Sequence, residues 1–152
     1  MFKHILIICT GNICRSPIAE GLFRAHLPKG REVGSAGLAA LVGEPADPLA
    51  VEVMRDNGYD ITAHRGRQIA QPMLTHADLI LTMDQGHSDG LLRQYPQLRG
   101  RVHKLLRWRG NGDVADPFRQ PKSAFEQAYE DIDHGVRDWL PRIVRARPGT
   151  GV

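Results

Sequence analysis

The chain reads as an α/β fold, a parallel sheet with helices on both faces. Three observations predict it. Ile5 to Ile8 with Cys9 is a continuous apolar run of strand length, and it leads straight into Ile18, Ala19, Leu22, Phe23 and Leu27, spaced as on one face of a helix. A second unbroken run, Leu79-Ile80-Leu81 within Asp78 to Met83, shows no polar alternation, as expected of a strand buried on both faces. Strand-like and helix-like stretches then alternate along the chain, which argues for parallel strands joined by helical crossovers. A length of 152 residues fits one domain with its own core, here residues 1–146, followed by a frayed tail over 147–152.

The elements follow in order. The first strand ends at Cys9, and the first helix opens with Ser16 as cap and Pro17 at the first helical position, where a missing N–H costs nothing. Pro28-Lys29-Gly30 closes that helix, and Val33 to Leu38 is a short second strand. Asp47-Pro48 caps and starts a helix through Val51, Val53 and Met54, which Asn57-Gly58 stops. His64 to Gln68 is expected to enter another short helix. Asp78 to Met83 is the third strand, Ser88 to Tyr95 a helix ended by Pro96, and Val102 to Trp108 the fourth strand. Ser123-x-x-Glu126 has the form of a capping box opening the longest helix, with Phe125, Ala128, Ile132, Val136, Leu140 and Ile143 on its apolar face. Pro141 is expected to kink or shorten it.

Composition narrows the function. Two cysteines make no disulfide framework, and the N-terminal apolar run is too short for a signal peptide and better used as a strand. No stretch approaches a membrane span. A cytoplasmic, reducing compartment is the expectation. The net charge is a modest +3, yet between Asp89 and Asp113 every charged residue is basic: Arg93, Arg99, Arg101, Lys104, Arg107 and Arg109. A solvated face is the plain explanation. As an attractive patch it suits a phosphorylated, acidic protein segment better than nucleic acid, since no nucleic-acid motif accompanies it. Gly34 and Gly37 lack dinucleotide-binding spacing, and no G-K-[ST] occurs.

The chemistry concentrates in Cys9-Thr10-Gly11-Asn12-Ile13-Cys14-Arg15-Ser16-Pro17. A helix start offers free N–H groups and a partial positive charge, which together attract an anion. Arg15 adds a planar fork able to grip two phosphate oxygens. A thiolate, not a thiol, is the nucleophile, and a helix N-terminus with a neighbouring cation favours it. A lone cysteine is ordinarily a small buried hydrophobe. Here Arg15, Ser16 and the glycine-bearing loop outweigh that reading of Cys9.

This segment, Cys-x-Gly-Asn-x-Cys-Arg-Ser-Pro after the first strand, resembles the active-site loop of the low-molecular-weight protein tyrosine phosphatases. Asp116-Pro117-Phe118 ahead of the last helix matches where that family carries its general acid. The resemblance spans nearly the whole chain and is greatest to the bacterial branch linked to tyrosine kinases of exopolysaccharide export. It implies four parallel strands in the order 2-1-3-4. It further implies Cys9 as nucleophile, Arg15 as phosphoryl clamp and Asp116 as general acid and then base. Thr10, Gly11, Asn12, Ile13, Cys14 and Ser16 complete the phosphate loop, with Ser35 and His64 supporting it from below. Ser16 has two readings, helix cap or donor to the Cys9 thiolate. Taken alone, His64 is more simply a satisfied histidine, and Asp116 a turn aspartate held extended by Pro117. Cys14 fills space under the loop, and the family pairs it with Cys9 on oxidation. Leu41 and Phe118 match the walls of the substrate entrance. The family usually has tyrosine where Phe118 stands, so the rim loses a hydroxyl. Trp108 has two readings, lining that mouth or packing in the core. Asp84 and Asp113 lack the context of Asp116, and the remaining histidines, without metal-ligand spacing, are assigned nothing.

The implied reaction is hydrolysis of phosphotyrosine through a phosphocysteine, with no cofactor and no metal. The implied partner is a phosphotyrosine-bearing protein, a bacterial tyrosine kinase; nucleic acid and membrane insertion are not expected, and oligomeric state is left open. The nearest rival keeps the fold and reduces arsenate. A thiol relay needs cysteines beyond Cys14, and there are none, so that rival needs external thiols. A silent phospho-binding module is disfavoured by intact Cys9 and Asp116.

Overall fold

The computed structural model describes residues 2–145. Strands β1 (His4–Cys9), β2 (Glu32–Gly37), β3 (Leu79–Thr82) and β4 (Val102–Lys104) form a parallel sheet in the order β2-β1-β3-β4. The helices are α1 (Arg15–His26), α2 (Pro48–Asp56), α3 (Gln71–His76), α4 (Gln85–Gln94) and α5 (Lys122–Arg145), with a 3-10 turn at Pro96–Leu98.

Alternation along β1 sorts the core into two layers. Ile5, Ile7 and Cys9 point to the face covered by α1, α2 and α5, where Phe23, Met54, Phe125 and Ile132 are buried. Leu6 and Ile8 point to the other face, against Leu74 of α3 and Leu91 of α4. Burying a side chain such as Ile7 or Ile8 on each face is worth about 1.5–3 kcal/mol, which fixes the strand between helices and presents its carboxyl end as a rigid platform. β1 is hydrogen-bonded to both β2 and β3, so the loop after Cys9 lies at the centre of that edge.

Several elements begin or end away from the sequence expectation. Helix α1 starts at Arg15, and Ser16 does not cap it. α4 starts at Gln85 rather than Ser88 because Asp84 caps it, its Oδ1 accepting from His87 N at 2.8 Å. His64 to Gln68 is not a helix entry. Gly37 N donates to Arg67 O and Ile69 N to Gly37 O, so the segment runs extended along the end of β2, and α3 begins only at Gln71. β4 stops at Lys104: Leu105 N still reaches Thr82 O, but Leu105 O turns to accept from Trp139 Nε1 of α5 at 3.0 Å. The Ser123 capping box is not formed, since α5 begins at Lys122, one residue ahead of Ser123. Pro121 stands just ahead of the first turn, and its carbonyl accepts from Ala124 N. Nor does Pro141 shorten α5, which runs on to Arg145. On its apolar face Trp139 is buried while Leu140 is only partly so. The 147–152 tail lies outside the described residues. None of the described helices is long and apolar enough to cross a membrane.

Much of the basic 93–109 segment is spent internally. Lys104 Nζ binds Asp113 and Asn111 O, Arg109 makes a two-pronged pair with Asp138, and Arg101 donates to the Thr75 and Ala77 carbonyls. Trp108 is exposed, edge-on to Trp139 with the Arg142 guanidinium over its face, so it packs on the surface of α5 rather than in the core.

Candidate active site

The loop from Thr10 to Cys14 is shaped by what its carbonyls do. Those of Cys9, Thr10 and Gly11 accept from Leu38, Ala39 and Leu41 N–H groups, that of Asn12 from His64 Nε2 at 2.6 Å, and that of Ile13 from Asp47 N. All peptides here are trans, so each N–H points opposite its carbonyl. Pinning successive carbonyls outward therefore turns the following N–H groups inward, making an anion cradle at the start of α1.

Asn12 is the keystone of that shape. Its φ is 60°, a left-handed conformation that asparagine tolerates better than most residues. Fully buried, it donates through Nδ2 to Ser16 Oγ at 2.7 Å and Ser35 Oγ at 2.9 Å, and accepts through Oδ1 from Arg67 N at 2.9 Å. Ser35 passes its own hydrogen to Glu20. Asn12, Ser35 and His64 thus come together under the loop.

Ser16 Oγ lies 2.8 Å from Cys9 Sγ. It already accepts from Asn12, so its hydrogen is available to the sulfur, and toward a thiolate Ser16 is the only possible donor. Both cysteines are buried, free thiols. Burial pushes the Cys14 thiol far up, with Asp47, Cys9 and Asp116 adding to the shift and Arg15 opposing it, which leaves Cys14 protonated.

Arg15 is 3% exposed at the positive end of α1, a poor place for an uncompensated cation. Compensation comes from within the chain. Its Nη1 donates to Asp84 Oδ2 at 3.0 Å and to Val114 O at 2.8 Å, while Nη2 faces Asp116 Oδ2 at 3.8 Å. His87 completes the wall, its Nε2 2.9 Å from Thr10 Oγ1 and 3.4 Å from Arg15 Nη2. Arginine can only donate, so Nε2 is an acceptor there and the ring hydrogen is placed on Nδ1, which is buried without a hydrogen-bond partner although Asp84 Oδ1 lies 3.4 Å away. Burial, the largest cause, holds His87 below its usual 6.5, and Arg15 works the same way against the raising influence of nearby aspartates.

Asp116 is half exposed, on a loop closed by Phe118 N donating to its Oδ1. Leu41 and Phe118 are both exposed apolar side chains, Leu41 lying over Gly11 and Phe118 two residues from Asp116. Asp84, His87, Val114, Arg67 and Glu20 are the participants that sequence reasoning missed. A signal existed for Asp84: it sits just past β3, the neighbour of β1, at the same carboxyl edge as Cys9.

Fold and site together define a class: a parallel α/β protein whose first strand-to-helix turn wraps an oxyanion cradle around a thiol. Residues 4–148 match the family model described as low molecular weight phosphotyrosine protein phosphatase. The chain belongs to that family and is a protein tyrosine phosphatase, a hydrolase. It is 48% identical over 143 residues to the probable low molecular weight protein-tyrosine-phosphatase EpsP of Ralstonia nicotianae, covering 94% of this chain and 97% of that one. Among solved structures it resembles Wzb of Vibrio vulnificus in complex with benzylphosphonate, with TM-score 0.89, 40% identity and coverage of 93% of this chain and 99% of that one. It also resembles the YwlE arginine phosphatase of Geobacillus stearothermophilus, with TM-score 0.88, 30% identity and 93% coverage of each chain.

Proposed function

We propose that the chain hydrolyses protein phosphotyrosine in two steps through a phosphocysteine on Cys9. The observation that carries the proposal is the convergence on one cradle of Cys9 Sγ, the Ser16 hydroxyl, the Arg15 guanidinium and, across from Arg15, the Asp116 carboxyl. In the first step the Cys9 thiolate attacks phosphorus in line, the P–O bond to the phenol breaks, and Asp116 gives that oxygen its proton. In the second, Asp116 takes a proton from water, the water oxygen attacks phosphorus, and the sulfur leaves as thiolate held by Ser16. Arg15, anchored by Nη1 to Asp84 and Val114 and by one Nη2 hydrogen toward His87, keeps Nε and the other Nη2 hydrogen for the equatorial oxygens.

Leu41 and Phe118 supply apolar walls for a flat ring, which favours phosphotyrosine over phosphoserine, whose phosphate sits close to its backbone. The substrate is a bacterial tyrosine kinase of exopolysaccharide export, a reading supported by the sequence's resemblance to that branch of the family. A cytoplasmic setting suits a catalyst that needs a reduced thiol.

The test is p-nitrophenyl phosphate hydrolysis in chelator, with Cys9→Ser and Asp116→Ala alongside. Wild type is expected to turn over and Cys9→Ser not to. Asp116→Ala should lose roughly 10²–10⁴-fold on a phosphotyrosine peptide, the usual size of a general-acid contribution, and less on p-nitrophenyl phosphate, whose leaving group needs less protonation. Equal losses on both substrates would remove Asp116 from the role of acid. Turnover by Cys9→Ser would overturn the phosphocysteine. Preference for phosphoarginine over phosphotyrosine would transfer the substrate assignment to the chemistry named for the Geobacillus protein.

A further inference from the structure

We infer that His4, Glu32 and His76 form a binding site for a divalent transition metal, zinc by its chemistry, at the edge of the sheet opposite the active site. The three residues are far apart in sequence, and the topology brings them together. His4 opens β1 and Glu32 opens β2, as direct partners in the parallel register, and His76 ends α3. Cys9 lies five residues along β1 from His4, roughly 16 Å away at strand rise, so this cluster is separate from the phosphate cradle.

The ligand atoms have the right identity and spacing. His4 Nδ1 is 3.1 Å from Glu32 Oε2, and His76 Nε2 is 3.5 Å from the same oxygen. All three ligand atoms lie within 4.8 Å of one another. Zinc bonds of about 2.0–2.2 Å to nitrogen and oxygen, set tetrahedrally, put neighbouring ligand atoms about 3.3–3.5 Å apart. Two edges of such a site are therefore already in place. The third closes by rotation of the His76 ring, whose side chain is 61% exposed. The two rings now lie tilted at 43° with centroids 3.9 Å apart, so the His76 ring swings away from His4 as it turns toward the ion. A His₂Glu set leaves one position of the tetrahedron open, here beside a hollow of about 240 Å³ that Met73 and Arg67 also line. Arg67 is the arginine that lines that hollow, and its Nε is committed to the Ser35 carbonyl. Backbone rigidity favours the site: two ligands sit on paired strands, and Asp78 at the start of β3 holds the His4 and Lys3 N–H groups. A bound ion would pin β1, β2 and α3 at one point.

The experiment is zinc titration by calorimetry in a non-chelating reductant, on the Cys9→Ser protein and on Cys9→Ser combined with His76→Ala or with Glu32→Gln. Removing Cys9 takes away the competing thiolate, and His76 and Glu32 are exposed enough for their variants to fold, which circular dichroism checks. One equivalent of zinc is expected to bind Cys9→Ser and raise its Tm. Each added substitution should weaken binding at least about tenfold, since even the loss of a residue behind a metal ligand costs that much. His76→Ala in the otherwise native chain should keep phosphatase turnover in chelator within about twofold of wild type. No binding to Cys9→Ser, or binding undiminished by either substitution, would overturn the inference. Neither result touches the phosphocysteine proposal, which is read by turnover in chelator.

Discussion

Asn12 joins two demands in one residue, a left-handed backbone and a side chain bonded at both ends. Alanine meets neither. Asn12→Ala should lose the αL tolerance, about 1–2 kcal/mol, and leave Ser35, Ser16 and the Arg67 N–H short of a partner, a further 1–3 kcal/mol or so. Asn12→Gly restores the backbone freedom but not the bonds, so its urea midpoint should fall between those of Asn12→Ala and wild type. Turnover should drop in both, because Ser16, the partner of the Cys9 sulfur, and the Ser35 and Arg67 contacts under the loop lose the side chain that ties them together. If Asn12→Gly equalled wild type in midpoint and turnover alike, the side-chain network would have no part in shaping the cradle. The backbone half of this argument was legible in advance, since asparagine between Gly11 and Ile13 in a tight loop points to positive φ. The Arg67 contact was not, because it joins residues 55 apart through a segment that composition alone marks as a helix entry.

At the level of elements, β2 matters to the site through Ser35 and through a close approach at Gly37. A Cβ on Gly37 would lie 2.4 Å from the Thr10 carbonyl oxygen and 3.1 Å from Ala40, both backbone neighbours that no rotamer change can move aside. Gly37→Ala should therefore push the end of β2 away from the catalytic loop. A stability loss of about 1–3 kcal/mol is the usual cost of overpacking, and here a fall in kcat should accompany it because Thr10 belongs to the cradle. Gly90→Ala is the control: its Cβ would meet only the Leu38 side chain at 3.8 Å, an ordinary contact, and helix propensity favours alanine. A thermal melt and an aryl phosphate assay on both variants decide the matter, and a Gly37→Ala protein with native Tm and kcat would refute it. Elements whose ends are marked by local chemistry, such as Asp47-Pro48, were readable, and Asp47 does cap α2 by accepting from Leu49 N. Ends set by distant partners were not. β4 stops where Trp139 captures the Leu105 carbonyl, and nothing near residue 105 announces that.

Across the whole molecule, the same division separates what was legible in the site from what was not. Cys9, Arg15 and Ser16 share one contiguous segment, so their convergence follows from a strand meeting a helix. Asp84 and His87 reach Arg15 only because β3 lies beside β1, and that adjacency belongs to the sheet, not to any local pattern. This second group carries a pH dependence. His87 is held below 6.5 in the folded chain, chiefly by burial, whereas the unfolded chain titrates near 6.5. Below that pH the unfolded state binds the extra proton and the folded state does not, so stability falls as pH drops from about 6.5 toward the folded value. The slope from one such group approaches about 1.4 kcal/mol per pH unit at most. His103, lowered by burial and by Arg107, adds its own share in the same direction. Asp113 and Asp60 are also lowered, but as carboxylates below an ordinary 3.8 they lose their contribution only in stronger acid. Denaturant unfolding of wild type and His87→Gln between about pH 7 and 5 should therefore show a shallower decline in the variant, with the His103 share remaining. Parallel curves would mean that the imidazole beside Arg15 takes up its proton as readily in the fold as out of it, and the pH dependence would have to be sought elsewhere.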